Sequence, residues 1–120
     1  GLQEDVDKIW KGGVGSQEVT YRVPRKVKAI CFTDYGASER GGTEEREIYA
    51  ELKQGFFESE NLFFYPPGSS EISIGFNIKH LDITEITKES NPLCFGASGG
   101  KVRFVIKMDS GESLVKIENE

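Results

Sequence analysis

The sequence predicts an all-β domain, an antiparallel β-sandwich of jelly-roll type with about eight short strands. Three observations carry that prediction. Apolar and polar residues alternate with the two-residue period of half-buried strands in several short runs. Gly, Pro, Asn and Ser cluster between those runs, where turns belong. The chain has 120 residues and 14 Gly, a size that fits a single domain over residues 1–120 and a glycine content that disfavours a helix bundle.

The elements follow in order. Trp10, ahead of Lys11-Gly12-Gly13, sits near an expected strand start and is assigned to the core. Val19, Tyr21 and Val23 alternate with Glu18, Thr20 and Arg22. Pro24-Arg25-Lys26 breaks that strand, and residues 27–32 form a second apolar run. So short a connection predicts a hairpin between the two. Residues 34–42 read as a polar, Gly-rich loop. Residues 43–54 send two signals. Glu, Arg, Ala, Leu and Lys favour helix, yet Ile48, Ala50 and Leu52 alternate with Glu47, Tyr49 and Glu51. The alternation predicts a strand, with a helical turn as the alternative.

Phe56-Phe57 and Leu62-Phe63-Phe64-Tyr65 flank a polar turn, and Pro66-Pro67-Gly68 ends this aromatic region. Ile72, Ile74 and Phe76 make the cleanest alternating strand. Residues 79–93 are polar, anchored by Ile83 and Ile86, with a turn at Asn91-Pro92. Val102, Phe104 and Ile106 begin a further strand. Asp109-Ser110-Gly111-Glu112 turns the chain into a last one with Leu114, Val115 and Ile117.

Composition excludes several functions. Lys plus Arg number 15 and Asp plus Glu 20, for a net charge of −5, against the basic excess of a non-specific nucleic-acid binder. No run of roughly 18 apolar residues exists, so no membrane span is expected. The start, Gly1-Leu2-Gln3-Glu4-Asp5, has neither the basic nor the apolar region of a signal peptide. One His and two Cys leave little for a catalytic triad or a zinc site. Cys31 and Cys94 are read as two buried thiols, with one disulfide as the alternative.

Candidate chemistry is sparse. Gly96-Ala97-Ser98-Gly99-Gly100-Lys101 superficially resembles a phosphate-binding loop, but Phe95 and Val102 stand where that motif needs Gly and Ser or Thr. It is read as a turn entering a strand. His80 lacks sequence partners and is assigned to the surface without a task. Glu44, Glu45 and Glu47 form a solvated face. Arg22, Arg25, Lys26 and Lys28 form a basic turn that protects a sheet edge. Tyr35, in a Gly-rich loop, is expected to be exposed.

One internal echo stands out. Tyr35-Gly36-Ala37-Ser38 leads to Gly41-Gly42, and Phe95-Gly96-Ala97-Ser98 leads to Gly99-Gly100. The two segments are expected to form loops of similar conformation.

The order of Trp10-Lys-Gly-Gly-Val14, Tyr35-Gly36, Ser70-Glu-Ile-Ser-Ile-Gly-Phe-Asn77 and Gly96-Ala-Ser-Gly-Gly-Lys-Val-Arg-Phe-Val105 resembles the small calcium-dependent galactose-binding lectins of bacteria. The resemblance implies a jelly roll and a sugar site in which Tyr35 acts through its carbonyl. Ile78 and Ala97-Ser98 stand where the family places its calcium-holding Asp and Asn pair, so no cofactor is expected.

The expected function is a non-catalytic binding module in an extracellular or cell-surface setting. A glycan would bind the face formed by loops 34–38 and 96–100. Tyr35 would stack on the sugar, and Asp34, Ser38, Asn77 and Ser98 would bond its hydroxyls. The alternative is a protein-interaction or structural module that uses the aromatic region 56–65.

Overall fold

In the computed structural model the described residues are 1–54, 60–70 and 75–120. The jelly roll is not formed. Among the described residues the fold is mixed α/β, with three helices, 23% helical content and seven short strands in antiparallel sheets of three and four strands.

The first correction lies at the N-terminus. Helix α1 spans Leu2–Gly12, so Trp10 sits on a helix rather than at a strand start. Leu2, Val6 and Ile9 recur at helical spacing, and Val6 is fully buried. Glu4 and Asp5 suit the first turn and Lys11 the last. Gly13 ends the helix with φ 79°, the left-handed conformation that glycine adopts freely.

Strand β1 (Gly15–Arg22) follows, then β2 (Ala29–Phe32). They do not pair as a hairpin. Strand β1 pairs along its length with β6 (Lys101–Met108), and β6 pairs with β7 (Lys116–Glu118). Strand β2 belongs to the other sheet, in which it lies between β3 (Leu62–Tyr65) and β5 (Leu93–Gly96), with β4 (Gly75–Phe76) outside β3. The basic turn therefore crosses between the sheets. Pro24, with no N–H and a fixed φ, cannot continue the β1 ladder into a tight hairpin.

The second correction is helix α2, Thr43–Lys53, where alternation predicted a strand. The Glu45 carboxylate accepts a hydrogen bond from the Gly42 N–H at 3.0 Å and satisfies one free donor of the first turn. Ile48, Tyr49 and Leu52 are buried, and Ala50 is exposed. That spacing marks one face of a helix; a strand would have buried Ala50 with its neighbours.

The remaining elements are β3 (Leu62–Tyr65), β4 (Gly75–Phe76), the short α3 (Ile83–Ile86) and β5 (Leu93–Gly96). Gly75 allows a close approach, since a Cβ there would lie 2.8 Å from the Phe63 ring. Phe56, Phe57, Ile72 and Ile74, which carried the aromatic contact region and the cleanest strand, lie outside the described residues.

The two sheets share one core. Val19, Phe104 and Ile106 come from the three-stranded sheet, and Ile30, Phe32, Leu62 and Phe95 from the four-stranded one. Phe104 contacts Phe95 and Phe32 at ring separations of 5.1 and 5.8 Å. A second cluster of Cys31, Ile48, Leu52 and Phe63 lies beneath α2, on the opposite face of β2. There Cys31 and Cys94 form a disulfide, against the expectation of two thiols. They face each other in the β2–β5 register with Cα atoms 4.0 Å apart.

Candidate functional site

The five residues proposed from sequence do not assemble into one site. Asp34, Tyr35 and Ser38 follow the C-terminal end of β2. Ser98 lies beyond β5, whose Gly96 pairs with Ala29 at the N-terminal end of β2. The Ala97 N–H donates to the Lys28 carbonyl at 2.8 Å, while the Asp34 N–H donates to Asn91 Oδ1 at 2.9 Å. Six residues of extended chain separate Lys28 from Asp34, roughly 20 Å at the rise of a strand. The echoed loops thus sit at opposite ends of the sheet. Asn77 is exposed just past β4, the far edge strand.

Local bonding explains loop 34–38. Asn91 is fully buried, and its amide donates to the carbonyls of Asp34 and Ser38 at 2.8 and 3.0 Å. The Asp34 carboxylate caps its own turn by accepting from the Gly36 N–H at 2.8 Å. Tyr35 points inward instead of presenting its ring to solvent. It packs edge-on against Tyr49 and Phe63 at 5.0 and 5.6 Å, and burial pushes its phenol above the ordinary range.

His80 is not idle either. Its Nδ1 lies 3.0 Å from Asp7 Oδ1, and its ring stacks on Trp10 at 3.6 Å with 6° between planes. An ionised Asp7 can only accept, so the imidazole donates. That bond holds the Asp7 carboxyl below its usual range. Gln3 bonds both the N–H and the carbonyl of Lys79, and the Trp10 indole donates to the Ser113 carbonyl. Gln3, Asp7 and Trp10 fall on one face of α1 and dock it onto these loops. The group is structural. Among the described residues no cluster of three or more His, Cys, Asp or Glu is placed to hold a metal ion.

Two depressions warrant comparison. One, of ≈ 300 Å³, lies between α3 and β7 and is lined by Glu85, Lys88, Glu89 and Lys116 among others. Its two cations pair with protein carboxylates: Lys88 bonds Glu85 at 2.6 Å, and Lys116 bonds Asp109 at 2.8 Å. The other, of ≈ 330 Å³, is an apolar cleft at the mouth of the core, between the sheets and the start of α1. Ile30, Leu62, Ile78 and Val102 are buried residues that also line it. Phe64 and Phe76 form one wall, with rings 5.7 Å apart. Tyr21 and Arg22 stand at the end of β1, and the Tyr21 hydroxyl donates to Asp5 at 2.6 Å.

The cleft was not foreseen from sequence. The one available signal was Phe76 at the end of an alternating run, since the pocket unites residues from α1, β1, β2, β3, β4 and β6 that are distant in the chain. Among the described residues no helix is long and apolar enough to cross a membrane. Comparison of the chain with protein-family models, curated proteins and solved structures finds no match.

Proposed function

We propose that this domain is a non-catalytic binding module and that its ligand occupies the apolar cleft between the two sheets. The observation that carries the proposal is an open cavity of ≈ 330 Å³ whose described lining is mostly hydrophobic and reaches down to buried core side chains. That volume lies at the small end of the range of ligand clefts, roughly 300–1,000 Å³. Phe76 is 37% exposed on its rim, and covering such surface stabilises a complex by the hydrophobic effect. The polar groups Gln3, Glu4, Tyr21 and Arg22 are confined to one side, as in sites that use few polar contacts to orient a ligand. The Cys31–Cys94 disulfide fits an oxidising compartment.

The test is titration with the neutral fluorescent dye N-phenylnaphthylamine. Saturable binding of one dye per chain is expected, weakened about tenfold or more in Phe76→Ser as buried aromatic contact area is lost. A flat titration, or binding indifferent to Phe76→Ser in a folded variant, overturns the proposal.

A further inference from the structure

A second cavity adjoins the cleft and has the opposite chemistry. It measures ≈ 350 Å³ and is lined by Arg22, Val23, Arg25, Gly99, Gly100 and Lys101. Arg22 and Val23 line both spaces, so the apolar cleft meets a basic one at the end of β1. Gly99 and Gly100 occupy the turn between β5 and β6 with φ 60° and 74°, and they leave that wall as bare backbone.

The charge pattern is unusual for this chain. The net charge is −5, yet Arg22, Arg25 and Lys101 gather around this cavity. Among the described residues none of Arg22, Arg25 and Lys101 takes part in an ion pair. Arg22 and Lys101 are also direct cross-strand partners in the β1–β6 register. Like charges so placed repel, and an anion between them relieves that repulsion through charge-assisted hydrogen bonds. Among the described residues Glu4 is the one carboxylate lining either space, and it stands on the α1 side of the cleft, away from the basic cavity.

We propose that the ligand is an amphipathic carboxylate of the fatty-acid type. Its hydrocarbon chain fills the cleft against Ile30, Leu62, Phe64, Phe76 and Ile78. Its carboxylate rests among Arg22, Arg25 and Lys101. This assignment rests on the cleft being the binding site and adds the charge and the direction of the ligand.

The probes are decanoate, decanol and decyltrimethylammonium, which share a tail and differ in head charge. They are titrated below micelle formation, and binding is followed by amide chemical shifts. The sequence expected is decanoate tightest, decanol weaker and the ammonium weakest. The combined variant Arg25→Gln, Lys101→Gln, at residues that line the basic cavity and not the cleft, is expected to weaken decanoate about tenfold or more and leave decanol unchanged, since only the charged head loses its partners. These side chains sit at the surface, so amide dispersion verifies an intact fold. Equal binding of decanoate and decanol, or an unaffected variant, overturns the anionic ligand while leaving the cleft as the site. Failure of all three probes to shift residues around Phe76 and Ile78 overturns both.

Discussion

At the scale of single residues, the contacts of α1 depend on Asp7, Trp10 and His80. Trp10 and His80 lie parallel at 3.6 Å, and Asp7 accepts from the imidazole. The hydrogen bond from His80 depresses the Asp7 carboxyl. A depressed folded value means that the ionised form contributes stability above the ordinary carboxylate range, near pH ~4. That contribution is lost as pH falls through the lower folded value. Asp7→Asn is therefore expected to flatten the acid limb of the stability profile, read as urea midpoints between about pH 2 and pH 6. An unchanged limb would mean that the contact carries no proton linkage. None of this was legible in sequence, because the partners are 73 positions apart and His80 has no neighbouring motif. Tyr35 failed for a related reason. A Gly-rich context suggested exposure, but only the arrival of α2 and β3 supplies Tyr49 and Phe63 to pack against it.

At the scale of elements, the strands were easier to read than the helices. The alternation of Val102, Phe104 and Ile106 survives intact in β6, where all three are buried. Helix α2 shows how one pattern can support two periods. Ile48 and Leu52 are spaced for either a strand or a helix, and the decisive residues are Tyr49 and Ala50. Tyr49 is buried, with its hydroxyl donating to the Ala37 carbonyl at 2.8 Å, whereas Ala50 is exposed. Leu52→Ala is expected to cost about 2–4 kcal/mol by leaving a cavity in the lower cluster. Ala50→Ser should stay within about 0.5 kcal/mol. Urea denaturation of both checks the face, since a strand would make position 50 as sensitive as position 52. In α1 the stripe of Leu2, Val6 and Ile9 was present in the sequence, and the Gly12-Gly13 stop was present too.

At the scale of the molecule, the disulfide joins residues 63 positions apart and ties β2 to β5 beneath α2. A loop of that length restricts the unfolded chain strongly, so reduction is expected to cost about 2–4 kcal/mol, measured as the loss in urea stability with and without reductant. The same register that pairs the cysteines also separates the echoed loops. Similar sequences at the two ends of a short strand pair end up at opposite poles, so the two loops do not form one face.

The sequence by itself determined the two-residue burial pattern of β6, several of the turn positions and the basic turn at Arg22 and Arg25. These are local properties, set by the alternation of side chains, by backbone preferences and by charge count. Only the tertiary structure decided which strands pair, which face of residues 43–53 is buried, that Cys31 meets Cys94, and that an apolar cleft opens beside a basic cavity. Each of those depends on contacts between segments far apart in the chain. Their free energy comes from surfaces buried together, and no local pattern records which surfaces will meet.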